Sequence, residues 1–184
     1  ELLKKIGAGK LQLVFAGKAY SHYDHGKKMI QEIRNQTEFF GDDLKIIYLP
    51  NYNMDVASRL IPGVDIWLNN PLRPLEASGT SGMKAALNGV PNFSVLDGWW
   101  IEGHIEGITG WSIGPPPTET TTDVNHSDED VKDLYNKLEK TIIPLYYKDR
   151  KGLIQVMKNA IGKNAYYFNT HVMMRRYVTE AYLR

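Results

Sequence analysis

Apolar residues along this chain follow two rhythms. Runs of five or six residues, Leu11–Ala16 (LQLVFA), Leu44–Leu49 (LKIIYL), Val64–Leu68 (VDIWL) and Asn92–Leu96 (NFSVL), read as buried parallel strands. Gly17 closes the first and Pro50 the second. Between them Asp24 to Phe40 has helical spacing, with Met29, Ile30, Ile33, Phe39 and Phe40 on its apolar positions, and Asp55 to Leu60 makes a short helix ahead of Pro62-Gly63. Strand, helix, strand, helix, strand predicts right-handed βαβ units in a parallel sheet, a fold that places ligands at the carboxyl ends of its strands.

The second rhythm takes over from Asp128. Val131, Leu134, Leu138, Ile142 and Leu145 space as one helix face, which Pro144 kinks or ends. Ser127 with Asp130 resembles a capping box with Asp in the usual Glu position. Leu153, Val156, Met157, Ala160 and Ile161 form a second helical face, and a last helix runs from about Thr170 to Leu183, its Tyr and Met residues reading as packing. Pro115 to Ser127 is a polar loop. At the other end, Glu1 to Ile6 reads as the end of a helix without its beginning, so a fragment of a longer protein is expected.

One stretch stands apart from both rhythms: Glu76-Ala77-Ser78-Gly79-Thr80-Ser81-Gly82-Met83-Lys84. A carboxylate, a set of small or hydroxyl residues and a lysine precede the apolar Ala85-Ala86-Leu87, which Asn88-Gly89 closes as a helix stop. The pattern predicts a loop entering a helix near Ser81 or Gly82. Such a loop exposes main-chain N–H groups and suits an anion, typically a phosphate. On that start Lys84 falls in the first turn, where the dipole disfavours a cation, pointing to a lowered pKa or a covalent role. A Gly-rich turn with a solvated lysine remains the alternative on spacing alone.

Composition removes several classes. The 184 residues are 42% hydrophobic and 23% charged with a net charge of +1, an ordinary globular make-up that gives no argument for nucleic acid or an anionic membrane. There is no cysteine, hence no disulfide framework and no thiolate nucleophile or metal ligand, and the five histidines show no metal-ligand spacing. No apolar run approaches a membrane span, and a cytoplasmic protein is expected. Asp97 and Glu102 are a conceivable hydrolytic carboxylate pair, although paired acids in a loop are usually structural. Trp99, Trp100 and Trp111 suit either stacking on sugar or closing the end of the sheet.

The run PLEASGTSGMKAALNGV, followed by VLDGWWIEG, resembles the cofactor segment of the α-glucan (glycogen, starch, maltodextrin) phosphorylases, most of all their short bacterial and archaeal form. The resemblance covers nearly the whole chain, most strongly Gly63 to Gly114, and includes the Gly17-Lys18-Ala19 turn, where Lys18 reads as a surface residue. It implies a Rossmann-like α/β domain, the C-terminal domain of the two-domain GT-B glycosyltransferase architecture, with closing helices. It implies pyridoxal 5'-phosphate joined to Lys84 as a Schiff base, with Thr80 and Ser81 around its phosphate. Tyr52, 24 residues before Glu76, would contact its ring. It further implies that Glu76, Ser78 and Gly79 hold a glucosyl unit, and that the reaction is phosphorolysis of α-1,4-glucan ends to glucose 1-phosphate.

Two departures qualify that picture. Asn53 stands where the long phosphorylases carry an Arg after the tyrosine. The Arg/Lys-rich segment that binds substrate phosphate has no counterpart here; with the N-terminal domain it would precede Glu1, so the chain alone is expected to be inactive. The rival of the same fold, a retaining nucleotide-sugar transferase such as a glycogen synthase, carries a second Glu eight residues after the first to meet the ribose. Here that residue is Lys84, which cannot accept ribose hydroxyl hydrogen bonds while protonated. A non-catalytic binding domain on the same fold is the remaining alternative, and the sequence leaves oligomeric state open.

Overall fold

The computed structural model describes residues 5, 11–42, 44–76, 78–116 and 127–183. Of the expected helix end at Glu1–Ile6 only residue 5, which is helical, is described; the expected polar loop Pro115–Ser127 lies outside the described residues from 117 to 126, as does the side chain of Ser127 and with it the capping box. The chain divides into two compact units, 1–59 and 60–184.

The first unit is a strand–helix–strand. Strands β1 (Gln12–Ala16) and β2 (Lys45–Leu49) pair in parallel, Gln12 opposite Lys45 through Ala16 opposite Leu49. Helix α1 (Asp24–Phe40) joins them and buries none of its residues fully. Leu44 and Ile46 are the buried hydrophobics of this unit. Helix α2 (Met54–Leu60) follows β2, and a 3-10 turn, Ile61–Gly63, follows it.

In the second unit, β3 (Trp67–Asn69), β4 (Asn92–Val95) and β5 (Gly110–Ile113) form a parallel sheet in that order. Helix α3 (Thr80–Leu87) carries the chain from β3 to β4. The expected α/β fold with parallel strands is present, but as a two-stranded and a three-stranded sheet rather than one. The third strand also starts later than its apolar run suggests. Trp67 N–H donates to the Pro91 carbonyl at 3.0 Å, and β4 begins after that proline, which has no N–H to give. Pairing, not hydropathy, therefore sets the start of β3. Strand β5 lies in the Gly- and Trp-rich segment that the sequence left without an element.

Strand β4 is buried at every position. Its odd and even residues face opposite ways. Phe93 and Val95 join Trp111, Ile113, Ile142, Leu153 and Val156 in one core. On the other face Asn92 donates to the Gly82 carbonyl of α3 at 3.0 Å. A Cβ on Gly82 would lie 2.6 Å from Asn92 Oδ1 and 2.8 Å from Trp99 Nε1, so only glycine lets α3 come this close. A second core of Ala86, Leu96, Trp99, Trp100 and Ala160 lies there. Trp99, Trp100 and Trp111 are thus core residues.

Helix α4 (Trp100–Gly103) lies between β4 and β5, and the closing helices are α5 (Ser127–Lys137), α6 (Ile143–Lys148), α7 (Arg150–Asn159) and α8 (Thr170–Arg176). Pro144 sits at the start of α6, after a π-helical turn from Leu138 to Ile142. The helical face expected beyond Leu153 runs on through a second π turn, Ala160–Ala165; Met157 and Ile161 stay partly exposed. The last expected helix is α8 extended by a third π turn, Tyr177–Tyr182.

Candidate active site

The loop after β3 and the turn after β4 lie at the carboxyl ends of neighbouring parallel strands, where this type of sheet offers a crevice. Glu76 N–H donates to Asp97 Oδ2 at 2.9 Å, and Gly98 N–H donates to Asp97 Oδ1 at 2.9 Å. Trp99 N–H donates to the Ser78 carbonyl at 2.9 Å. Three residues upstream, the Arg73 guanidinium pairs with Asp130 of α5 and donates to the Pro115 carbonyl at 3.3 Å. Asp97 is 7% exposed with both oxygens committed to main-chain donors, which removes it as one half of a hydrolytic pair. The Glu76 side chain, half-buried, has no hydrogen-bond partner among the described residues and is open to a ligand hydroxyl.

Helix α3 starts at Thr80, behind Gly79 in the left-handed conformation at φ 84°. This corrects the position of Lys84. It is the fifth residue of an eight-residue helix and lies in its last turn, where the dipole favours a cation. The dipole argument for destabilising its charge therefore fails, because glycine at the cap lets the helix begin earlier than Ser81. The closing signal works as expected: Asn88 N–H donates to the Ala85 carbonyl at 3.0 Å, and Gly89 takes φ 73°. Ahead of the first turn, which Gly82 N–H closes on the Gly79 carbonyl at 3.1 Å, the N–H groups of Thr80 and Ser81 have no partner among the described residues.

A pocket of about 910 Å³ opens beside α3. Ser78, Thr80 and Lys84 line it, with Met83 and Leu87 on the same helix face and Glu102 from α4. Its far side is Tyr167 to Thr170 and the last helix, including Met173, Arg176 and Tyr177. Sequence reasoning assigned those aromatic and Met residues to packing; their helical spacing gives no sign of the cavity they border. Arg176 is already engaged, donating to Glu180 Oε1 at 3.1 Å and to the Tyr167 hydroxyl at 2.7 Å. The Lys84 ammonium has no hydrogen bond or ion pair among the described residues. Glu76, Gly79 and Ser81 do not line the pocket, although Glu76 Oε1 and the Trp99 ring flank Gly79, where a Cβ would meet them at 3.2 and 3.4 Å. Tyr52 belongs to the first unit and is half-buried, between β2 and α2.

A more elaborate polar cluster, undeclared by any motif, joins β5 to α5. Glu106 Oε2 accepts from the Ser112 N–H and hydroxyl, both at 2.9 Å, and meets His104 Nε2 at 2.7 Å. Lys137 Nζ lies 3.3 Å from Glu106 Oε1 and 3.0 Å from Asp133 Oδ2. Partial burial opposes ionisation of Glu106, but the bonds from His104 and Ser112 and the Lys137 charge outweigh it and hold the carboxyl at about 2. The cluster fixes the far end of β5 and does not reach Lys84. Among the described residues no group of three or more His, Asp or Glu could hold a metal ion, and no helix is long and apolar enough to cross a membrane.

The fold is of the α/β class found in HepE from Anabaena, solved in complex with UDP and glucose, which the structure resembles with a TM-score of 0.72 at 16% identity, over 100% of this chain and 43% of that one. Within that class the chain belongs to the carbohydrate phosphorylase family, whose model matches residues 4–170. It is 44% identical to the maltodextrin phosphorylase of Thermococcus litoralis, over 99% of this chain and 22% of the relative. It is also 44% identical to the glycogen phosphorylase of Aquifex aeolicus, over 99% of this chain and 27% of the relative. The chain therefore spans about a quarter of the length of these relatives.

Proposed function

We propose that this chain is the cofactor-bearing part of a pyridoxal-phosphate-dependent α-1,4-glucan phosphorylase, which releases glucose 1-phosphate from glucan ends. The observation that carries the reading is the Lys84 ammonium, without a partner among the described residues, in a roomy pocket, on a helix whose first N–H groups likewise have none there and suit a phosphate. That donor set fits a phosphorylated aldehyde: an amine for the carbonyl, the N–H groups at the helix start and the Thr80 hydroxyl for the phosphate, and Met83 and Leu87 for a ring. When bound, the cofactor would supply its phosphate for proton transfer beside substrate phosphate. Lys84 would anchor it, with Thr80 and Ser81 around the phosphate. Glu76 would accept from hydroxyls of the glucosyl unit, with Ser78 and Gly79 offering main-chain N–H groups to the same sugar.

The relatives' names support the substrate class, and their greater length supports a cleft completed by further sequence. A cytoplasmic protein in which the 184 residues alone turn over no glucan fits this reading. The residue eight after Glu76 counts against a nucleotide-sugar transferase, despite the UDP complex of the structural neighbour.

The test is spectroscopic. The full-length protein is mixed with pyridoxal phosphate, reduced with borohydride and mapped by peptide mass. A reduced adduct on Lys84, absent from Lys84→Ala, together with phosphate-dependent release of glucose 1-phosphate, is the expected result. A full-length protein that forms no adduct overturns it.

A further inference from the structure

The turn after β4 does more than close the sheet. Asp97 is buried, and its two carboxylate oxygens are divided between two loops: Oδ2 takes the Glu76 N–H and Oδ1 takes the Gly98 N–H, each at 2.9 Å. The next residues complete the junction. A Cβ on Gly98, at φ 54°, would lie 2.6 Å from the Ser78 carbonyl oxygen and 3.1 Å from Glu76 Cγ, and Trp99 N–H donates to that same carbonyl. The Glu76 N–H and the Ser78 carbonyl are thus set by one short turn, while the Glu76 side chain has no hydrogen-bond partner among the described residues.

We propose that Asp97 is a positioning residue for Glu76: by accepting its N–H, Asp97 fixes the direction in which the Glu76 carboxylate meets a sugar hydroxyl. This rests on the reading of Glu76 as a glucosyl-binding group. The chemistry is specific to a carboxylate. Both oxygens face N–H donors, so an isosteric amide keeps one acceptor and turns its own NH2 toward the other donor. Misplacing a substrate-orienting group by about 1 Å can cost on the order of 100-fold in rate.

The experiment is a double-mutant cycle in the full-length protein, with rates normalised to bound cofactor. Asp97→Asn is expected to lower kcat/KM for phosphorolysis by about 10- to 100-fold in the wild-type background and by less than about threefold beside Glu76→Gln, because the second change has already removed what Asp97 positions. Cofactor loading stays at the wild-type level, and hydrogen exchange of the peptide 72–80 accelerates. A merely structural aspartate gives the same penalty in both backgrounds, and that additivity overturns the proposal. If Asp97→Asn does not fold, Asp97→Glu, which keeps both acceptors one methylene further out, is put through the same cycle. Collapse of both variants assigns Asp97 to folding and overturns the proposal as well. A wild-type protein with no cofactor adduct and no phosphorolysis defeats the functional reading instead. Unchanged exchange at 72–80 in Asp97→Asn then defeats this inference separately.

Discussion

Two neighbouring stretches of the same motif are built in opposite ways. The loop from Arg73 to Ser78 is fastened at several points: to Asp130 and Pro115 through the Arg73 side chain, to Asp97 through the Glu76 N–H, and to Trp99 through the Ser78 carbonyl. The exposed face of α3 that follows carries Thr80 and Lys84 with no partner for either side chain among the described residues. The lesson concerns the division of labour. On the function proposed above, main chain that would present donors and acceptors to a sugar is immobilised by the protein, whereas a side chain that would hold a cofactor is left for the cofactor to complete. Polar groups that the fold needs are satisfied within it; those it leaves free at a crevice are where ligand chemistry is expected.

The largest expected effect lies on the open side. Lys84→Ala is expected to abolish the reducible adduct and to lower phosphorolysis by on the order of 10³-fold or more, about 4 kcal/mol of barrier. Folding stability, read from thermal or urea unfolding, should change by no more than about 0.5 kcal/mol, since an exposed and unpartnered side chain is removed. A large loss of stability would show that Lys84 belongs with the fastened residues and break the comparison. On the fastened side Arg73→Ala should do the reverse. The Arg73 side chain is 9% exposed and that of Asp130 21%. Removing one partner of such a pair leaves a partly buried charge and should cost about 3 kcal/mol, much of it recovered in Arg73→Ala with Asp130→Ala. Gly82→Ala is smaller, about 1–3 kcal/mol from overpacking against Asn92 and Trp99, and should disturb cofactor spectra less than Lys84→Ala.

The sequence made one side of this contrast far more legible than the other. The strands around LQLVFA, LKIIYL and NFSVL, helix α1 and the Asn88-Gly89 stop follow from local pattern, because hydropathy period and turn chemistry act over a few residues. The Glu76–Lys84 motif was legible through its resemblance to a family. The fastenings were not. Arg73 and Asp130 are 57 residues apart and Glu76 and Asp97 are 21 apart, so only the fold brings them together. Helix α3 was placed one or two residues late because Gly79 reads as loop until its left-handed conformation is seen to serve as the cap. Strand β5 went unread because Gly110-Trp111-Ser112-Ile113 lacks a run of β-branched residues and owes its strand state to pairing with β4.

The smallest expected effect sharpens the comparison at its margin, where the fastening network reaches water. Glu106 is 46% exposed at its side chain, so solvent screening keeps its contribution below about 1 kcal/mol. Its direction is nevertheless fixed. The folded carboxyl titrates at about 2 against an ordinary value of 4.5. A depressed acid stabilises the folded state in full above the ordinary value and loses that contribution as pH falls from about 4.5 toward 2. Wild-type protein should therefore lose Tm over that interval slightly faster than Glu106→Gln, and the two curves should converge at its acid end. Curves that run parallel across the interval would mean that Glu106 is not held by His104, Ser112 and Lys137 in solution. The fastening of β5 to α5 would then rest on the Asp133–Lys137 pair and the bond from Gly114 N–H to Asp133 Oδ2 at 2.8 Å.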